Sequence, residues 1–155
     1  MLRNLGPQEI MKYQQNRHPL LFVDVILEVS PQNSAIGLKN FSYNEWFFPA
    51  HFEDEPVVPG FVLLESLSQV FLMTFLTIPG NEGKKAAGVE IQGARFQRKV
   101  VPGDSLRIEA HLESYSHGVA RGSATGFVGS DLVCSSKLVV AIPDVLNSRL
   151  PQKRR

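Results

Sequence analysis

Between Pro59-Gly60 and Pro79-Gly80 the chain runs through FVLLESLSQVFLMTFLTI, an almost uninterrupted apolar segment. Leu64, Leu67, Phe71 and Phe75 recur at helical spacing, and the flanking Pro-Gly pairs supply a start and a stop, so the spacing predicts one helix over Pro59 to Ile78. Such a helix is apolar on nearly every side and has to be covered on nearly every side. A bilayer would do this. However, Glu65, Ser66, Ser68 and Gln69 cluster inside the run and no basic anchors flank it, which argues against a membrane span. The cover must come from the rest of the chain.

That remainder reads as strands. Phe22 to Val29 and Ala35 to Phe41 alternate apolar and polar residues around the turn-forming Pro31-Gln32-Asn33, the pattern of a hairpin. After the helix come four further strands, Ala86 to Phe96, Ser105 to Ser116, Val119 to Gly129 and Leu132 to Ile142. The turns between the last four hold Pro102-Gly103-Asp104, His117-Gly118 and Gly129-Ser130-Asp131. Two strands, one long helix and four strands make an α+β chain. A single helix apolar all round is buried if a curved antiparallel sheet wraps it, which is the hotdog fold.

At 155 residues the length suits one domain, taken as 1–146, followed by a basic tail over 147–155 that ends in LPQKRR and is expected to be solvated and flexible. Sixteen basic and fifteen acidic residues give a net charge of +1, so binding nucleic acid over the whole surface is excluded and any charge-steered partner must use a local patch. The opening MLRNLGPQEI has no apolar core of a secretory signal, and a cytoplasmic protein is expected. The lone Cys134 lies in an apolar strand and reads as a buried structural thiol. Four scattered histidines and one cysteine offer no metal-ligand spacing, so no metal is expected.

Glu65 is the one charge in the apolar run, and an ionised carboxylate is not buried without a partner. Its surroundings supply a reason. NRHPLLFVD near the start, FFPAHFEDEPVVPGFVLLESLSQ in the middle and GARFQRKVVPGD later resemble, in that order, HRYPFLLVD, FFxGHFPxxPxxPGVLxxEAxAQ and ARFxRPVxPGD. These are the motifs of the FabZ-type 3-hydroxyacyl-acyl-carrier-protein dehydratases of type II fatty-acid synthesis, and the resemblance extends from Asn16 to about Ile142.

The resemblance implies that His51 and Glu65 are catalytic and that each site takes them from different subunits of a dimer. Dehydration of a 3-hydroxyacyl thioester needs a base for the proton at C2 and an acid for the departing hydroxyl, and His51 and Glu65 match those roles. Gly60 matches the residue whose amide holds the thioester oxygen as charge develops on it. Gln69, one helical turn beyond Glu65, lies on the same face and could orient the carboxylate. His18 reads as structural, and His111 and His117 as surface residues. The resemblance further implies an acidic acyl carrier protein as partner, which delivers the substrate on its phosphopantetheine arm without a separate cofactor. It also implies a homodimer, with a trimer of dimers as the larger assembly. The expected landing patch is Arg95, Arg98 and Lys99, with Lys84 and Lys85 before the strand; along GARFQRK, alternation puts Arg95 and Lys99 on one face and Phe96 on the other.

The chain departs from the motifs at Ala50, where the family has glycine, and at Glu53 and Lys99, where it has proline. These changes point to a specialised relative. A hotdog thioesterase and a non-catalytic subunit that binds acyl carrier protein are the alternative readings of the same fold.

Overall fold

In chain order the elements are β1 (Leu2–Leu5), α1 (Pro7–Tyr13), β2 (Val25–Ser30), β3 (Ser34–Asn40), α2 (Phe47–His51) and α3 (Gly60–Leu76). There follow β4 (Ala87–Phe96), β5 (Ser105–Ser116), β6 (Val119–Val128), β7 (Asp131–Ala141) and α4 (Pro143–Asn147). The computed structural model describes residues 1–148; residues 149–155, which make up most of the predicted basic tail, lie outside the described residues. The strands form one antiparallel sheet in the order β1-β2-β3-β5-β6-β7-β4. It has seven strands where the sequence predicts six.

The sheet curls around α3, which packs on β2, β3, β5, β6 and β7. From Gln69 to Leu76 every residue of the helix is buried. The polar residues in this stretch and just beyond it bond to nearby backbone: Thr74 Oγ1 donates to the Phe71 carbonyl at 2.8 Å and Thr77 Oγ1 to that of Met73 at 2.6 Å. Hydroxyls can therefore be buried without an unpaired donor. The helix sits so close to β6 that a side chain at Gly122 would meet the Phe71 ring at 2.6 Å. Among the core residues on β7, burial pushes the Cys134 thiol up to about 12, so it stays a protonated, inert packing group at neutral pH.

The two edges of the sheet differ. β1 closes one end on β2, while β4 pairs only with β7 and is exposed along its whole length. β4 carries Val89, Ile91 and Phe96 at 63%, 55% and 49% exposure, and Phe61 from the first turn of α3 is 57% exposed. Among the described residues, no helix is long and apolar enough to cross a membrane.

Candidate active site

The first turn of α3 divides the site. Five residues separate Gly60 from Glu65, which turns them about 140° apart around the helix axis. Glu65 therefore faces one cavity and Gly60 another. The cavity on the Glu65 side, about 450 Å³, is mainly apolar, with Leu20, Phe22, Phe61, Leu64 and Ile91 in its walls. The cleft on the Gly60 side runs past Val57, Phe96, Arg98 and Lys99. There the Phe96 ring lies against Gly60, 3.1 Å from where a side chain would begin, so glycine is what allows this approach. The Gly60 N–H belongs to the opening turn of the helix, where amides have no partner within the helix.

Glu65 is half-buried and braced. Gln69 Nε2 donates to its Oε1 at 2.9 Å, and Asn16 Nδ2 donates to the same oxygen at 3.3 Å. Gln69 is itself fully buried. Its Oε1 accepts the Phe22 N–H at 2.7 Å and its Nε2 also donates to the Leu20 carbonyl at 2.7 Å. The predicted orienting role of Gln69 thus has its geometry, and the same side chain ties the segment before β2 to the helix. The Phe22 amide thus bonds to a side chain instead of a neighbouring strand, and β2 starts three residues later, at Val25.

His51 ends α2, whose Phe47 and Phe48 are buried and anchor it. The ring stacks on Phe52 with centroids 3.8 Å apart, and Nδ1 lies 2.9 Å from the Val57 carbonyl oxygen. A carbonyl can only accept, so Nδ1 carries the hydrogen and Nε2 keeps the free lone pair. That tautomer leaves Nε2 as the basic nitrogen. His51 does not line the cavity that Glu65 faces. One chain thus holds both titratable residues but does not bring them to one cavity.

The predicted arrangement of Arg95 and Lys99 on one strand face needs correction. β4 ends at Phe96, so Lys99 lies beyond the strand and shares no strand face with Arg95. Arg98 is drawn toward Asp131 at 3.6 Å and Asp104 at 4.0 Å, and its Nη1 is buried without a hydrogen-bond partner among the described residues. Lys99 Nζ bonds Glu55 Oε1 at 2.5 Å. The pairs with Asp131 and Glu55 join residues far apart in sequence, so residue type alone does not reveal them. Arg95 is exposed and makes no ion pair among the described residues. Among those residues no cluster of three or more histidine, cysteine, aspartate or glutamate side chains could hold a metal ion. Asn16, which no pattern in the sequence singles out beyond its place at the head of a motif, is the site residue that sequence reasoning missed.

Residues 15–140 match the FabA-like domain family. The 3-hydroxyacyl-acyl-carrier-protein dehydratase FabZ of Chloroflexus aggregans is 41% identical over 140 residues, covering 90% of this chain and 97% of that protein. The enzyme of the same name from Bacillus pumilus is 40% identical over 138 residues, covering 89% and 96%. Among solved structures, the dehydratase heterocomplex ApeI:P from Xenorhabdus doucetiae aligns with a TM-score of 0.75 at 14% identity, over 86% of this chain and 90% of that one. At that identity the likeness concerns the fold.

Proposed function

The chain belongs to the FabZ dehydratases of the FabA-like family, and from that membership we propose that it removes water from a 3-hydroxyacyl chain carried on acyl carrier protein, with His51 as base and Glu65 as acid. It is a lyase of fatty-acid biosynthesis. His51 Nε2 takes the proton from C2, and the C2–H electron pair moves toward the thioester oxygen. As the C2–C3 double bond forms, Glu65 delivers a proton to the C3 hydroxyl, which leaves as water. The Gly60 N–H, in the opening turn of α3, holds the charge building on the thioester oxygen. The products are a trans-2-enoyl thioester and water, and no cofactor is needed.

The observation that carries this reading is Glu65 itself: a braced carboxyl group facing an apolar cavity of about 450 Å³, large enough for an acyl chain. The placement of His51 away from that cavity supports a site shared between two subunits. The exposed apolar residues of β4 support pairing of that edge with a second copy, since an unpaired strand edge carrying apolar side chains is otherwise a liability. A homodimer is therefore the smallest working unit, with a trimer of dimers as the larger assembly, and the cytoplasm is its place. Arg95, with Lys84 and Lys85, is the better-supported contact for an acidic carrier protein, while Arg98 and Lys99 act first within the chain.

Incubation with a 3-hydroxyacyl carrier-protein substrate and mass detection of the product tests the reading. Loss of water is expected. Release of a free acid would instead identify a thioesterase, and unchanged substrate with bound carrier a non-catalytic subunit.

A further inference from the structure

Asn16 stands just beyond the end of α1, and the next residue clamps its backbone. Arg17 Nη1 donates to the Gln14 carbonyl at 2.7 Å and the Asn16 carbonyl at 2.8 Å, and Nη2 donates to Met11 at 3.0 Å. Carbonyls at the end of a helix lack intrahelical partners, and an arginine that gathers them fixes the exit direction of the chain. Asn16 is thus presented to α3 from a second, independently held segment.

Its amide donates to Glu65 Oε1, the oxygen that Gln69 also bonds. One donor would not settle the carboxyl group. The terminal torsion of glutamate is broad and roughly two-fold, so Gln69 alone could hold either oxygen. A second donor arriving from a loop, not from the helix, fixes the plane. With two N–H groups aimed at Oε1, a proton on that oxygen would face donors. The proton is directed to Oε2, which has no hydrogen-bond partner among the described residues and belongs to a side chain lining the cavity.

We propose that Asn16 is a positioning residue that selects Oε2 of Glu65 as the proton-bearing oxygen and aims it into the cavity. This rests on Glu65 being the acid of the reaction. The motif that Asn16 opens has histidine at this position, so the chain uses here an amide whose donor does not titrate.

The test compares Asn16→Leu, Asn16→Asp and Glu65→Gln with the unchanged protein, using a short 3-hydroxyacyl pantetheine thioester and thermal melts to verify folding. Asn16→Leu keeps the size and removes the donor. It is expected to lower kcat roughly tenfold, the scale on which loosened geometry slows a reaction, with KM within about twofold. Asn16→Asp donates only when protonated. Its rate, divided by that of the unchanged protein at each pH, should therefore rise as pH falls; taking the ratio cancels the titration of His51 and of Glu90, which lines the same cavity. A kcat for Asn16→Leu within twofold of the unchanged protein, or a flat ratio for Asn16→Asp, overturns the proposal. If Asn16→Leu does not fold, the Asn16→Asp ratio decides alone. Glu65→Gln separates the two readings: if it turns over normally, Glu65 is not the acid, whereas an inactive Glu65→Gln beside an unaffected Asn16→Leu removes only the role of Asn16.

Discussion

The proposed acid and the proposed base of this site are held by different kinds of structure. Glu65 sits on the long central helix and receives two amide hydrogen bonds, one from the helix itself and one from the segment after α1. His51 ends a five-residue helix, followed by the exposed Glu53-Asp54-Glu55, and one hydrogen bond to Val57 sets its ring. The proposed acid is half-buried on the helix that forms the core of the chain. The proposed base is carried on the rim, anchored from beneath by the edge-to-face contacts of Phe47 with Phe22 and Phe41. A rim position fits the proposal that His51 meets the Glu65 carboxyl group of a second chain, since within one chain the two share no cavity.

The largest effects should come from removing either group. His51→Ala and Glu65→Gln are each expected to lower turnover by about a hundredfold or more, the range for general acid and base groups, while thermal melting stays close to that of the unchanged protein. Steady-state rates on a 3-hydroxyacyl carrier-protein substrate give the answer. A folded Glu65→Gln with undiminished rate would dissolve the contrast between the two sides, because the braced carboxyl group would then be structural.

Mixing the two inactive variants asks whether acid and base come from different chains. In a heterodimer of this kind one site carries both substitutions and the other carries neither. Random reassortment makes about half of the dimers mixed, so recovery to about a quarter of the unchanged rate is expected. Proven heterodimers without recovery would mean that each site is completed within one chain.

Much of this architecture is legible in the sequence because the core elements are long and strongly patterned. The apolar run gives α3 within two residues at its C-terminal end, and the four strands after it appear within one residue of their expected ends. β1, α1, α2 and α4 are not foreseen for a physical reason: each is short, and α1 buries only Ile10, too little to show a period. The site is legible in part. His51, Gly60, Glu65 and Gln69 lie in one continuous motif, whereas Asn16 meets Glu65 across a separation of 49 residues. Arg98 and Lys99 show the same limit. They are expected as part of a landing patch, and the fold also brings carboxylates to them, which their place in the sequence does not announce.

Gln69→Leu probes the rigid side by a smaller step. It removes the donor to Glu65 and leaves the Phe22 N–H and the Leu20 carbonyl without their side-chain partner. The Phe22 N–H is buried, and orphaning such a group costs about 1–3 kcal/mol, so chemical denaturation should show a clear loss of stability together with a drop in kcat. The expected signature is both together. Lost activity at full stability would mean that Gln69 orients Glu65 without helping to hold the segment before β2.

The smallest effect is expected on the rim. Lys99 and Glu55 link the connection after β4 to the loop that follows His51, and their side chains are 67% and 55% exposed. Both Lys99 and Glu53 stand where the family motif has proline, so each of the two connections has lost one backbone restraint and one ion pair now links them. Exposed pairs of this kind are worth up to about 1 kcal/mol and are weakened by salt. Glu55→Gln should therefore shift stability by less than that amount and turnover by under about twofold. The unchanged protein should lose a comparable fraction of its rate between low and high salt, a slope that the variant flattens. This outcome would leave the buried Phe47 and Phe48 and the Val57 carbonyl as the restraints that place the base. A tenfold loss in Glu55→Gln at low salt would reverse that assignment: the ion pair would then set the position of His51, and the rim would be as firmly built as the helix that carries Glu65.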